Sequence, residues 1–361
     1  MERLAIICAH PVQYYAPLFQ LIAKKHIVKV FYQPKANGIR RDKGFNMAFE
    51  WDLPLLEGYD YEFSHQIKRI RVYKPSAVLI YGWAFLSHIK LMLYFHKRIP
   101  VFFRGDSTLL DKKPGWILVL RNLWLKFIYQ KIDYACYVGS QNKAYFKRFG
   151  LSETQLIYMP HTIDNNRFSA DRTDEAIHIR TAFGIKAEDI LILFTGKLIK
   201  KKGPELLLAA FARLNKTNIH LLFVGSGVLE PALKRTAQTC INSSNIHFMP
   251  FQNQLQMPAI YQSCELFCFP SIGPGETWGL AINEAMAANK AVLASDAAGA
   301  AYDLVNKYNG ATFKNNNIDD LHEKLKTLTS QKHRLKQMGL QSHHSIQNFS
   351  FQHQINALYG V

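Results

Sequence analysis

Cysteine is scarce here, and what there is lies scattered. The 361 residues hold five, Cys8, Cys136, Cys240, Cys264 and Cys268. Only the last two lie close, and their spacing inside a strand-like run, with no second pair, is poor metal geometry. All five read as buried free thiols of a reducing compartment. No run of about 18 apolar residues escapes Lys, Arg or His, which argues against a membrane-spanning helix. The opening MERLAIICAHPVQYY goes straight into a strand and lacks a signal-peptide layout. A Walker loop is absent, and so is any D-x-D. Gly225 and Gly227 form a G-x-G whose third glycine is replaced by Glu230, which argues against a dinucleotide-binding dehydrogenase. There is no internal repeat and no low-complexity tract.

Acidic residues are also scarce, but only in one half. Residues 1–150 carry 24 Lys+Arg against 10 Asp+Glu, a balance of +14, whereas the other 211 residues carry 20 against 17, a balance of +3. A basic half joined to a near-neutral one suggests that one half alone faces something anionic: nucleic acid, an anionic membrane or a pyrophosphate-bearing substrate. Nucleic acid is disfavoured, because no basic recognition motif is present and the chemically specific motifs lie in the neutral half.

With 48% hydrophobic residues the chain builds cores. Apolar runs at 3–9, 27–33, 77–82, 99–105, 133–139 and 155–160 predict strands. Helices are expected from near Gln13 and at about 84–96, 114–130 and 140–149. The stretch 34–63 fits neither period and reads as a long loop. After a polar segment at 164–189 the alternation restarts, with strands at 190–196, 218–225, 245–250, 264–269 and 291–295 and a last helix over 349–361. Two β/α series imply two doubly wound α/β domains, 1–165 and 166–346, with the final helix at about 347–361 packing back on the first.

Three strand-to-helix junctions in the second series hold the candidate chemistry. In FTGKLIKKKGPELL the strand ends in Gly196, and Lys197, Lys200, Lys201 and Lys202 precede the helix start at Gly203-Pro204. Cations crowded beside a helix N-terminus cost stability unless an anion joins them, although a solvated charge run is an equal reading. In FVGSGVLE, Gly225 and Gly227 allow close backbone approach. In GPGETWGLAINEA, Gly279 and Leu280 fall at a helix start whose free N–H groups can receive phosphate oxygens. Glu276 precedes that helix and Glu284 lies inside it. Carboxylates are good acceptors for sugar and ribose hydroxyls.

These stretches, with PS-(x)₄-E-(x)₂-G-L-(x)₃-E-A-M-A and AAGAAYDLV, resemble retaining glycosyltransferases of family 4 across the C-terminal half. The looser N-terminal motifs HPVQYYAPLFQL, WDLPLLEGY and FRGDS resemble a bacterial surface-polysaccharide branch. The resemblance implies an α/β GT-B fold, two Rossmann-like doubly wound domains facing across a cleft. It implies transfer with retention from a nucleotide diphosphate sugar, UDP-linked by preference, to a saccharide acceptor, with no metal and no other cofactor. By position, Lys197 and Lys202 match the cations on the diphosphate, the first replacing a usual arginine. Glu276 matches the acid on donor-sugar hydroxyls, and Glu284 the one on the ribose. Gly279 and Leu280 match backbone donors to phosphate, beside Gly196, Gly225 and Gly227. Phe251 and Gln252 fall where the base is held. His10, Gln13, Tyr14, Arg104 and Asp106 are candidates on the acceptor side. Arg104 or Asp106 stands in for a cleft histidine that many relatives carry there, and His10 and His161 read as structural.

The segment 111–134 places Asn122, Lys126 and Gln130 on one helical line and Leu120, Leu123, Trp124 and Phe127 on the other face. It reads either as a packing helix or as a basic amphipathic helix lying on a bilayer. The charge favours an anionic membrane surface, a polyprenyl pyrophosphate-linked acceptor and a cytoplasmic protein peripheral on the inner membrane. A sugar-nucleotide epimerase of the same fold is the alternative.

Overall fold

The computed structural model describes residues 2–34, 41–42, 47–48, 51–110 and 115–360, without the side chains of 41–42, 47–48 and 115–120. It divides into two compact units. The first comprises Met1–Gly38, Leu53–Thr162 and Ser350–Val361, and the second Ile39–Asp52 and Ile163–Phe349.

In chain order the strands are β1 (Arg3–Cys8), β2 (Ile27–Tyr32), β3 (Arg41–Asp42), β4 (Met47–Ala48), β5 (Asp60–Phe63), β6 (Ala77–Tyr81), β7 (Val101–Arg104), β8 (Tyr134–Tyr137) and β9 (Leu156–Tyr158). The second series is β10 (Ile190–Thr195), β11 (Ile219–Val224), β12 (Ile246–Met249), β13 (Leu266–Phe269), β14 (Ala291–Ser295) and β15 (Gly310–Phe313). Unit one has a parallel sheet ordered β5-β2-β1-β6-β7-β8-β9. Unit two has a parallel sheet ordered β12-β11-β10-β13-β14-β15. β3 and β4 form a small antiparallel ladder.

Parallel strands covered on both faces read as continuous apolar runs, which is why β1, β6, β10 and β11 were legible. In β1, Leu4 and Ile6 face one core with Leu18, Phe19 and Ile22, while Ala5 and Ile7 face another with Ile89, Met92 and Leu125. The last helix, Phe351–Tyr359, adds Phe351, Ile355 and Leu358 to the first of these cores. In unit two, Ile190, Ile192 and Phe194 pack on Leu207, Leu208 and Phe211.

Several expectations are corrected. Asp60–Phe63 lies inside the presumed loop but is the edge strand β5, paired with β2. Its sequence DYEF is half charged, and Lys29 bridges to both Asp60 and Glu62, so no apolar run announced it. Residues 35–40, 43–46 and 49–50 of that stretch lie outside the described residues. The first helix begins at Ala16 rather than near Gln13, because Tyr15 and Ala16 both donate to the Val12 carbonyl in a preceding turn. The Ile67–Tyr73 helix and β15 were not anticipated. Cys240 is half-buried, unlike the other four free cysteines.

The Gly115–Tyr129 helix packs through one face and exposes another. Leu125, Ile128 and Tyr129 are buried, whereas Leu123, Trp124 and Phe127 are 63%, 45% and 44% exposed. The apolar residues expected on its packing side therefore stand outside, with Lys126 beside them and Lys131 Nζ 5.2 Å from the Phe127 ring centre. Residues 111–114 and the Leu120 side chain lie outside the described set. No helix among the described residues is long and apolar enough to cross a membrane.

Candidate functional site

In an open parallel sheet, ligands bind outside the carboxyl ends of the strands where the strand order reverses. In unit two that reversal falls between β10 and β13. The donor-side residues singled out from the sequence follow the carboxyl ends of four neighbouring strands, β12, β11, β10 and β13.

β10 ends at the buried Thr195, and Gly196 extends the ladder by donating to the Val224 carbonyl at 3.0 Å. Leu198 is buried in the core and anchors the loop. Residues Lys200–Lys202 then form a short 3₁₀ turn closed by Gly203 at φ 66°. A Cβ on Gly203 would stand 2.1 Å from the Pro270 carbonyl oxygen, so this loop packs directly on the one after β13. Ile272 N–H donates to the Lys201 carbonyl at 2.9 Å, and Lys201 Nζ to the Gly275 carbonyl at 2.6 Å.

This packing brings together residues 74 apart in sequence. Lys202 Nζ lies 2.6 Å from Glu276 Oε2, and Ser271 Oγ donates to the same oxygen at 2.9 Å. Glu276 is buried and Lys202 partly so. Lys200 is exposed, and Lys197 sits half-buried on the same loop.

The Leu280–Ala287 helix starts from Gly279, at a φ of 108°, where an added Cβ would stand 2.9 Å from the Phe269 ring. The N-cap residue, Gly279, has no side chain with which to cap this helix start. Trp278 Nε1 donates to Asn283 Oδ1 at 2.8 Å, both buried, and locks the entry to the helix. Glu284 is buried one turn in, and the Tyr261 hydroxyl donates to its Oε2 at 2.7 Å.

Gly225 and Gly227 pack tightly within unit two. A Cβ would meet the Gly196 carbonyl at 1.9 Å from Gly225, and the Leu198 carbonyl at 2.5 Å from Gly227. Their close backbone approach is to the neighbouring loop of the protein. Gly196 has nothing within 4 Å of its Cβ position. Phe251 N–H donates to Ser226 Oγ at 3.3 Å, and Arg167 holds Gln254 through its carbonyl and side chain. The turn bearing Phe251 and Gln252 is thereby pinned.

In unit one the order reverses between β1 and β6. His10, exposed, and Gln13 and Tyr14, half-buried, follow β1 there. Arg104, expected to face a ligand, is buried and donates to the Met159 and Pro160 carbonyls. It braces β7 against the segment after β9. Asp106 is half exposed and lies 3.8 Å from Nε2 of the buried His161. Burial pushes the His161 pKa down, and Asp106 opposes that shift. The structure thus joins Asp106 to His161.

Sequence reasoning missed Tyr261, Thr195, Ser271, Trp278 and Asn283. Trp278 and Asn283 flank the glutamates inside the quoted motif. Tyr261 stands 23 residues before Glu284 in an ordinary apolar helix, where nothing marks it.

Two Rossmann-like units in one chain match the GT-B fold. Residues 176–344 match the family model described as glycosyl transferases group 1. A D-inositol 3-phosphate glycosyltransferase of Rhodococcus erythropolis is 25% identical over 225 residues, 60% of this chain and 50% of that protein. The chain spans about half the length of the curated relatives it matches. The crystal structure of Anabaena HepE with UDP and glucose superimposes with a TM-score of 0.76 at 14% identity, covering 100% of this chain and 99% of that one. WaaG, a glycosyltransferase involved in lipopolysaccharide biosynthesis, gives 0.67 at 16% identity and 98% of each chain. At these identities the structural likeness establishes the GT-B fold.

Proposed function

We propose that this chain is a retaining glycosyltransferase that moves a sugar from a nucleotide diphosphate sugar to a saccharide acceptor. The observation that carries the reading is the Lys202–Glu276 pair at the β10/β13 switch point, beside a helix start whose N-cap is Gly279. A cation for diphosphate and a carboxylate for sugar hydroxyls are there held by the packing of two loops. The group 1 family match over the same unit supports it.

In this mechanism Lys197, Lys202 and the amides of Gly279 and Leu280 receive the diphosphate. They offset the charge that grows as the bond from the anomeric carbon to the diphosphate oxygen breaks. Fixed positive groups aimed at developing negative charge are an efficient device. The acceptor hydroxyl oxygen bonds to the anomeric carbon on the face the diphosphate leaves, and its proton passes to the departing phosphate oxygen. Glu276 orients the sugar, and Glu284 the ribose. No metal is required, so activity survives EDTA. UDP is the preferred nucleotide, as the ligand of the HepE crystal structure suggests.

The acceptor we propose is lipid-linked, in surface-polysaccharide or glycan synthesis, and reached from an anionic membrane surface. The exposed Leu123, Trp124 and Phe127 beside Lys126 and Lys131 support this docking.

The test is incubation of the purified chain with UDP-sugars and saccharide acceptors, followed by analysis of both products. Free UDP with an α-linked glycoside from an α-linked donor supports transfer with retention. An altered sugar nucleotide without glycoside would mark an epimerase instead.

A further inference from the structure

Buried polar groups are satisfied in directed chains, and one such chain crosses the switch point of unit two. The Tyr261 hydroxyl donates to Glu284 Oε2 at 2.7 Å and lies 2.8 Å from Thr195 Oγ1. All three residues are buried. A tyrosine hydroxyl has one proton. With that proton on the carboxylate, its oxygen accepts from Thr195, so the chain runs Thr195 to Tyr261 to Glu284. The Tyr261 ring is wedged between Phe168, at 5.7 Å, and Phe267, at 5.4 Å, so the hydroxyl has little freedom to leave. Thr195 is the last residue of β10, directly ahead of Gly196 and Lys197.

We propose that Tyr261 is a positioning residue that fixes the Glu284 carboxylate for the vicinal hydroxyls of a nucleotide ribose, with Thr195 tying that setting to the diphosphate loop. The proposal rests on the donor-site reading above and names what makes the site select ribose. A carboxylate with free rotation accepts from hydroxyls only after losing that freedom on binding. One held by a buried hydroxyl is preorganised.

The experiment measures, by calorimetry, binding of the tightest of UDP, GDP and ADP, of its 2′,3′-dideoxy analogue and of inorganic pyrophosphate. Wild type should prefer the ribonucleotide over the dideoxy form by roughly ten- to a hundredfold, the range for hydrogen bonds to a charged group. Tyr261→Phe should remove about tenfold of that preference while leaving dideoxynucleotide and pyrophosphate affinities unchanged. Thr195→Val, a smaller change at the far end of the chain, should remove about threefold. Neither should lower affinity further in a Glu284→Ala background. Equal weakening of all three ligands by both variants would mean a merely structural role, and full retention of the ribose preference in both would also overturn the proposal. If Glu284→Ala itself keeps the preference, the ribose reading of Glu284 falls first. If none of the three nucleotides binds wild type, the donor reading falls and this inference with it.

Discussion

The two units share one strand order over six strands, with β9 added in unit one, and use its carboxyl edge in opposite ways. In unit two the edge is made of loops that pack backbone on backbone, Gly203 on Pro270 and Gly225 on Gly196, and so hold Lys202 against Glu276. In unit one the edge is a network of buried and half-buried side chains. His65 bonds the Cys8 and Phe31 carbonyls and the Ser87 hydroxyl, Gln33 reaches the same hydroxyl, and Arg104 braces two further carbonyls. Charge divides the same way, with +14 in residues 1–150 and +3 in the rest. The same fold therefore presents a compact charged site in one copy, and in the other a braced edge on a basic body.

The largest expected effects lie on the unit-two edge. Glu276→Ala and Glu284→Ala should each lower kcat/KM by about a thousandfold or more, the order of losing a key transition-state contact, and should also lower the melting temperature, because each removes the buried acceptor of Lys202 Nζ or of the Tyr261 hydroxyl. Lys202→Ala should raise the barrier by about 2.7–4 kcal/mol, the cost of one donor to developing negative charge. Lys200→Ala should change little, since that side chain is exposed. Equal losses at Lys200 and Lys202 would reduce the loop to net charge.

A glycine pair sharpens the contrast in how the edges are built. Gly225→Ala sets a Cβ 1.9 Å from a main-chain oxygen, so it should destabilise by several kcal/mol and disturb the site loop. Gly82→Ala, in unit one, has a φ of +74° but nothing within 4 Å. Its cost should stay near the roughly 1–2 kcal/mol of a left-handed backbone. Urea midpoints for the two variants decide this.

Acid should weaken both units. Burial holds His65 in unit one and His247 in unit two down at about 4, against an ordinary 6.5. Folded rings stay neutral while unfolded rings take up protons, so stability is full above pH 6.5 and falls as pH drops toward 4. The loss by pH 5 is bounded by about 2 kcal/mol per ring. His65→Gln and His247→Gln should each flatten the pH dependence of the urea midpoint, measured between pH 7.5 and 5.

The smallest effects belong to the basic body. Replacing Lys126 and Lys131 with glutamate should weaken sedimentation with anionic vesicles, by roughly 1 kcal/mol per charge removed. Trp124→Ala should weaken it too while leaving the melting temperature unchanged, because Trp124 is exposed. Binding that ignores salt, or a fold destabilised by Trp124→Ala, would break this half of the comparison.

Unit two was legible because its site residues sit in strand–glycine–helix junctions, where apolar runs end abruptly in Gly, Lys and Glu. The α/β class and most strands followed from the same runs. Glu284 could be placed from spacing, but its partner Tyr261 could not, because a buried tyrosine in MPAIYQ looks like any core residue. Arg104 was singled out by the resemblance alone, and its bonds to carbonyls 55 and 56 residues away could not be read from the sequence. The edge strand β5 escaped because its charges pair with Lys29 across the sheet.

The central claim is that unit two's edge holds a nucleoside diphosphate. A crystal structure of the chain soaked with UDP tests it most directly. Diphosphate oxygens should lie within hydrogen-bonding distance of Lys202 Nζ and the Gly279 and Leu280 amides, with the ribose hydroxyls on Glu284. A nucleotide bound elsewhere, with the Lys202–Glu276 edge untouched, would contradict it.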